Sequence, residues 1–468
     1  GPLVALLGLI GGFLTPALIH TEHPSALSLF GYLFLLHVGL TLVTRSRHWQ
    51  WLAALTVLAS QAWVLLWMIT EPWSAADGQI LGFFVLLSAF AVLGASAWEE
   101  SEEQVSRADL AWARGLSYLA LLIGLALSAA LLSRSHFSNT EWAFLGLLSA
   151  ACFVLAGLRA AYEPLAWAAA ALVWIMLANA GQDVPATGVP RLAVILSIFG
   201  AAFSLASYGM LWRPAASVRW AALSVISALG YSLLAYWILP LPPRPEVWAC
   251  LPVGVAVVYA ALSVPIYQRR AALRDGEDIL DTLVTGALTA LAIAPPMAFE
   301  HATLTAVWSL LVPLSVAVAR RLRLHGPWIL LLLVGAIVGI RLVINPFVLT
   351  YDTGPSLWWN PIVWGYLPSA AALFVAVALI WHWRRPTDKV AEDKVDSSTI
   401  AAFLEITGCL IVAAFATVFT HLIFHPDSLG TTAIPFHERI ALGNVWILLG
   451  MLMIALGDWL RRLRSETL

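Results

Sequence analysis

Residues 301–350 read HATLTAVWSLLVPLSVAVARRLRLHGPWILLLLVGAIVGIRLVINPFVLT. Two apolar stretches in this segment flank a short connection that carries Arg320, Arg321 and Arg323. Each stretch holds about 20 residues, the length that an α-helix needs to cross a hydrocarbon core roughly 30 Å thick. The segment therefore predicts two membrane-spanning helices that are joined on a cationic side.

The same apolar pattern continues along the whole chain. Hydrophobic residues make up 61% of the 468 residues and charged residues 11%, which excludes a soluble fold because soluble domains are about 25% charged. The stretches are continuous and lack period-two alternation, so they predict helices and not the strands of a barrel. The expected fold is an all-α, polytopic membrane bundle of about 16 transmembrane helices. The predicted helices cover residues 1–18, 26–44, 49–70, 78–98, 112–133, 141–161, 164–181, 191–212, 218–239, 246–268, 279–299, 302–320, 327–349, 361–383, 399–424 and 441–461.

Positive charges sort to alternate connections between these helices. Of the 25 Lys and Arg residues, 20 lie in or beside the even-numbered connections or in the C-terminal tail. The other five are Arg134, Arg191, Arg244, Arg341 and Arg439. Cationic connections stay in the cytoplasm, so we expect both termini to be cytoplasmic.

Most connections are short, and none is long enough to hold a soluble domain. We therefore expect one membrane domain over residues 1–468, and its opening GPLVALLGLIGGFLTPAL (1–18) suggests a fragment of a longer chain. The basic residues occur in ones, twos and threes beside apolar helices, which predicts membrane lipids and not nucleic acid as partners. All three cysteines lie in apolar stretches without a CxxC motif, so disulfide chemistry is not expected.

Arg341 is the residue whose burial in lipid would cost most. It lies about 14 residues into the helix predicted over 327–349, or roughly 21 Å along it, and a cation at mid-membrane costs about 2.5–3.5 kcal/mol. Asn345 is four residues further on and shares its face. The pair favours an anion or carboxylate contact in a cavity that opens outward. The alternative is an arginine that reaches the outer interface or pairs with a neighbouring helix.

Histidine and carboxylate residues collect in the predicted outer connections. Glu22 lies in the turn HTEH (20–23), Glu300 adjoins His301, and Asp352 follows a tyrosine. The ligand-binding candidates are Arg341, Asn345, Asp352, Glu300, His301 and Glu22. The last outer connection and its flanks add His421, His425, Asp427, His437 and Glu438. Such side chains bind zinc when they converge, but HTEH is not an HExxH helix, so the sequence alone predicts no metal and no other cofactor.

Two positions inside apolar stretches also carry predictions. His37 lies in the second helix, where we expect a hydrogen-bonded interior residue and not a proton relay. Pro295 and Pro296 predict the end of the eleventh helix just before Glu300, because proline lacks the backbone donor that a helix needs.

Five stretches carry a family resemblance: LLGLIGGFLTPAL (6–18), LFGYLFLLHVGLTLVTRSRHWQWLA (29–53), RLVINPFVLTYDTGPSLWWNPIVWGYLPSAA (341–371), LEITGCLIVAAFATVFTHLIFHPDSL (404–429) and FHERIALGNVWILLG (436–450). They resemble a family of predicted bacterial membrane proteins, domain of unknown function 2339. The resemblance implies a longer protein with more helices and an N-terminal cytoplasmic coiled coil. Together with the charge pattern, it implies a location in a bacterial inner (cytoplasmic) membrane. It implies no activity and no catalytic residues.

Three functional hypotheses fit these features. The leading one is the handling of an envelope-side solute, lipid or glycan, as a transporter or as the membrane part of an export or assembly complex with an envelope protein partner. The second is a membrane-embedded transferase that acts on a lipid-linked donor and uses Glu22 as its base. The third is a non-catalytic scaffold. No GxSxG or Walker A motif occurs, which disfavours the common hydrolases and ATPases.

Overall fold

The computed structural model describes residues 2–18, 24–47, 49–99, 107–182, 186–213, 216–239, 245–344, 358, 360–382, 397–425 and 434–466. Within these ranges the chain forms α-helices and short 3-10 helices and no strand. Fifteen helical segments are long and apolar enough to cross a membrane, and Pro2–Leu18 is a shorter apolar helix. The predicted all-α bundle of many helices is therefore confirmed for the part of the chain that is described.

The single domain expected over residues 1–468 contains two compact units. Unit 1 consists of Gly1–Ala215 and Leu233–Pro240, and unit 2 of Ala216–Ser232 and Leu241–Leu468. The helices of unit 1 are α1 (Pro2–Leu18), α2 (Ala26–Ser46), α3 (Gln50–Thr70), α4 (Ala75–Glu99), α5 (Arg107–Arg134), α6 (Asn139–Leu158), α7 (Glu163–Ala180) and α8 (Val189–Met210). Helix α9 (Val218–Ile238) is divided between the units. The helices of unit 2 are α10 (Cys250–Arg269), α11 (Gly276–Ile293), α12 (Pro295–Ala298), α13 (His301–Leu322), α14 (Gly326–Val343), α15 (Pro361–His382), α16 (Ser397–Phe424) and α17 (Phe436–Glu466).

Aromatic and small residues pack the helices of unit 1. The Phe30 ring of α2 lies 5.8 Å from the Trp67 ring of α3 and 5.1 Å from the Phe84 ring of α4. Gly82 of α4 admits the Phe144 ring of α6, because a Cβ at residue 82 would overlap that ring. In lipid, helix association depends on such close packing and on polar contacts between helices.

A small polar cluster joins α2, α3 and α4 near their midpoints. The Nδ1 atom of His37 lies 2.8 Å from Ser60 Oγ, and Gln61 Nε2 donates to Ser88 Oγ at 2.7 Å. All four side chains are buried. The structure thus places His37 as the sequence predicts, inside the unit and hydrogen-bonded to a neighbouring helix.

An apolar core lies between α13, α14, α15 and α16 of unit 2. Helix α13 packs against α14 and α15, and α16 packs against α14 and α15. The fully buried core residues include Val312, Val316, Leu331, Val338, Leu373, Ala376, Leu404 and Ile411. Gly365 of α15 lies so close to α13 that a Cβ there would be 3.1 Å from Ala302 Cβ. The first turns of α13 and α15 therefore lie side by side.

The double proline of unit 2 ends a helix as predicted. Helix α11 ends at Ile293, and Pro295 begins the four-residue helix α12. Proline fits the first turn of a helix because the backbone donors of that turn have no intrahelical partner. The helix predicted over 279–299 is therefore divided into α11 and α12.

Helix α14 begins against α11. The carboxylate of Asp281 accepts hydrogen bonds from the backbone N–H of His325 at 3.3 Å and of Gly326 at 2.9 Å. These donors belong to the start of α14 and have no partner within that helix. A carboxylate also stabilises the positive end of the helix dipole. Asp281 therefore caps α14 from a neighbouring helix.

The other end of α14 corrects the helix predicted over 327–349. The helix ends at Val343, with the last backbone bond from Ile344 N to Ile340 O at 3.0 Å. The sequence contains the physical reason, because Asn345 precedes Pro346 and helices usually end at or before the residue that precedes a proline. Arg341 therefore lies in the last turn of α14, closer to the end of its helix than the predicted helix 327–349 places it.

Candidate functional site

Five helix ends of unit 2 meet in what we call the outer end of unit 2: the first turns of α13, α15 and α17 and the last turns of α14 and α16. The charge pattern predicts that this end faces the envelope, because Arg320 and Arg321 lie at the opposite end of α13. The Tyr366 hydroxyl of α15 donates to Leu342 O of α14 at 2.7 Å. The Trp358 ring lies 5.5 Å from the Phe419 ring of α16. Contacts between side chains thus bring these ends together.

Arg341 is fastened to the first turn of α13. Its Nε donates to Thr305 Oγ1 at 2.9 Å, and its Nη2 donates to the carbonyl of His301 at 3.3 Å. The side chain is half-buried. The structure therefore places Arg341 at the end of its helix and in contact with a neighbouring helix.

Glu300 and His301 adjoin this contact. Their side chains are 88% and 64% exposed, and His301 Nδ1 lies 3.7 Å from Glu300 Oε2. His301 has a φ of 50°, a left-handed conformation that costs a non-glycine residue roughly 1–2 kcal/mol. The first residue of α13 is therefore strained, and its carbonyl is the one that accepts from Arg341.

The structure describes three of the six ligand-binding candidates. Arg341, Glu300 and His301 lie together at the outer end of unit 2. Glu22, Asn345 and Asp352 lie outside the described residues. A shared face of Arg341 and Asn345 therefore remains a prediction.

A second group of side chains joins α16 to α17 at the same end. Glu438 is fully buried, and its two carboxylate oxygens contact two different histidines. His421 Nδ1 is hydrogen-bonded to Oε1, and His425 Nε2 lies 3.0 Å from Oε2. The two histidine side chains are only 15% and 18% exposed. We call these three residues the His–Glu cluster.

The local sequence explains how the His–Glu cluster forms. His421 and His425 are four residues apart, and His425 N still donates to His421 O at 2.9 Å, so the two side chains emerge from one face at the end of α16. Their ring centroids are 4.7 Å apart. Glu438 lies in the first turn of α17, where the helix dipole favours a carboxylate. His437 is exposed on the same turn.

The arrangement can hold either protons or a cation. One donor atom from each of the three residues lies within 4.8 Å of the others. Two imidazoles and one carboxylate are a ligand set that zinc sites use. The sequence places these residues near one connection but cannot pair Glu438 with α16, because that pairing depends on how α17 packs. Asp427, named with them from the sequence, lies outside the described ranges.

The helices of the described residues define the class of protein. Fifteen candidate spans, with no strand among the described residues, identify a multi-pass helical membrane protein. Residues 1–213 match the model of the family described as predicted membrane protein, DUF2339.

The match confirms the resemblance over the first part of the chain. The resembling stretches 341–371, 404–429 and 436–450 lie outside residues 1–213. Comparison with curated proteins and with solved structures gives no match. The family description names no activity. The side chains at the outer end of unit 2 are therefore the basis for a proposed function.

Proposed function

We propose that this protein handles an anionic solute, lipid or glycan on the envelope side of a bacterial inner membrane. It would act as a transporter or as the membrane part of an export or assembly complex, with both termini in the cytoplasm. The observation that carries the proposal is the position of Arg341, which is held at the outer end of unit 2 by α13 and is only half-buried.

The hydrogen bonds of Arg341 leave it able to bind an anion. A guanidinium has five N–H donors, and Arg341 uses two of them, on Thr305 and on the His301 carbonyl. The other three have no partner among the residues that the structure describes. A planar guanidinium binds carboxylate or phosphate through paired hydrogen bonds. Thr305 and His301 fix its orientation, so little conformational entropy is lost on binding.

This site supports binding more directly than it supports transferase chemistry. The transferase alternative depends on Glu22, which lies outside the described residues. A lipid headgroup and a soluble anion both present phosphate or carboxylate oxygens to Arg341, so the test has to separate these two sources.

We predict that Arg341→Gln weakens anion binding by about 10–100-fold, because charge-assisted hydrogen bonds contribute about 1.5–3 kcal/mol. Thermal-shift titration of the purified protein with inorganic phosphate or glucuronate measures the soluble anions. Native mass spectrometry of nanodiscs that contain phosphatidylglycerol or phosphatidylcholine measures the lipids. Arg341→Lys keeps the charge without the paired donors and should lie between wild type and Arg341→Gln.

Arg134→Gln is the matched control, because Arg134, like Arg341, lies in the last turn of a helix on the predicted outer side, and its side chain is exposed. It should bind every probe as wild type does. Loss of phosphate or glucuronate binding identifies a soluble ligand, and loss of phosphatidylglycerol alone identifies a lipid. The proposal is overturned if wild type binds no anionic probe, or if Arg341→Gln binds all of them unchanged.

A further inference from the structure

We propose that His421, His425 and Glu438 form a binding site for a divalent transition metal ion of the zinc class. The site ties the last turn of α16 to the first turn of α17. The inference does not rest on the proposed function, because it uses other residues and predicts another ligand.

The donor atoms already lie near the positions that a metal requires. Zinc takes imidazole nitrogen at about 2.0–2.1 Å and carboxylate oxygen at about 2.0–2.2 Å, so donors of a tetrahedral site are about 3.4 Å apart. His425 Nε2 and Glu438 Oε2 are 3.0 Å apart, and one donor from each residue lies within 4.8 Å of the others. Shifts on the order of 1 Å would bring all three around one ion.

The burial of Glu438 favours a cation at this site. A buried carboxylate needs a compensating charge or several hydrogen bonds, and Glu438 is fully buried with both oxygens directed at imidazoles. Without metal, protons shared with His421 and His425 fill this role. A divalent cation takes the place of those protons and contacts the same three donor atoms.

The donor set also selects the class of ion. Imidazole suits zinc, copper and nickel, whereas calcium and magnesium prefer oxygen ligands. Three protein ligands occupy three corners of a tetrahedron and leave the fourth for water or an external ligand, as in zinc sites that act on a substrate. The proposed ion therefore links two helices and keeps one coordination position open.

The site and the Arg341 contact lie on different sides of α16. Phe419 packs on Trp358, and Phe415 packs on Tyr366, which contacts α14. His421 is two residues beyond Phe419, or about 200° around a helix with 3.6 residues per turn. The histidines therefore face α17, so changes at one site can be tested without disturbing the other.

The test uses the purified full chain after removal of metals with EDTA. Titration with Co²⁺ should give the visible absorption of tetrahedral cobalt, and calorimetry should show one Zn²⁺ bound per chain. His425→Ala and Glu438→Gln should each weaken Zn²⁺ binding by more than about 100-fold, because changes outside the ligand shell already cost 10–100-fold. Glu438→Asp keeps the carboxylate and should therefore still bind Zn²⁺ measurably. This variant provides a test of the site if the other variants fold poorly.

Two controls separate this site from its surroundings. His437→Ala removes an exposed histidine from the same turn of α17, and Arg341→Gln removes the anion contact; both should bind Zn²⁺ as wild type does. The inference is overturned if the stripped wild-type protein binds no Zn²⁺ or Co²⁺. It is also overturned if folded Glu438→Gln and His425→Ala bind the ions as wild type does, and the cluster is then a network of shared protons only.

Discussion

Replacing Glu438 with leucine is expected to lower the unfolding free energy of the metal-free protein by about 3 kcal/mol, because two hydrogen bonds to a charged group are lost. The carboxylate contacts His421 of α16 through one oxygen and His425 through the other. Glu438→Gln keeps the shape and one acceptor, so it should lose about half as much. Unfolding of the purified protein by sodium dodecyl sulfate in mixed micelles, with EDTA present, measures the change.

His437→Ala is the matched control for this prediction and should stay within about 0.5 kcal/mol of wild type, as exposed substitutions usually do. A double-mutant cycle of Glu438→Leu with His425→Ala should give a coupling energy of about 1 kcal/mol or more. An unchanged unfolding midpoint for Glu438→Leu would show that α17 does not depend on the His–Glu cluster.

Replacing Gly326 with alanine should destabilise unit 2 by about 2–3 kcal/mol, because the site has no space for a methyl group. A Cβ at residue 326 would overlap Thr285 Oγ1 and lie 2.9 Å from Asp281 Oδ1. The substitution therefore pushes the start of α14 away from the Asp281 carboxylate that caps it. The same detergent unfolding experiment measures the loss.

Gly254→Ala is the control, because a Cβ at Gly254 of α10 meets nothing within 4 Å. It should be neutral or stabilising, since glycine inside a helix costs roughly 0.5–1 kcal/mol relative to alanine. Thr285→Ala removes the overlapping oxygen and should restore part of the stability of Gly326→Ala. Wild-type stability of Gly326→Ala would contradict the close packing of α11 and α14.

The helices could be predicted from the sequence because lipid imposes a simple rule. A spanning segment must pair its own backbone groups, so continuous apolar stretches have to be helices. The predicted end of α14 at residue 349 lies beyond the observed end at Val343, although Asn345–Pro346 indicates an earlier end. Hydropathy alone cannot detect such an end, because most of residues 344–349 (INPFVL) are also apolar.

The Arg341 contact and the His–Glu cluster depend on how helices pack against one another, which the sequence alone does not predict. Arg341 is conspicuous in an apolar helix, but its partner Thr305 is one of many hydroxyl residues. The spacing of His421 and His425 predicts a shared helix face. Only the packing of α17 against α16 brings Glu438 to that face.

We expect the outer end of unit 2 and its arginine-rich opposite end to face different sides of the membrane. A variant with Cys152, Cys250 and Cys409 replaced by alanine provides the background for single cysteines at two exposed positions, His437→Cys and Arg321→Cys. A membrane-impermeant maleimide should label His437→Cys in cells whose outer membrane has been permeabilised and whose inner membrane is intact. It should label Arg321→Cys only after the inner membrane is disrupted. Labelling of Arg321→Cys while the inner membrane is intact, together with protection of His437→Cys, would contradict this topology.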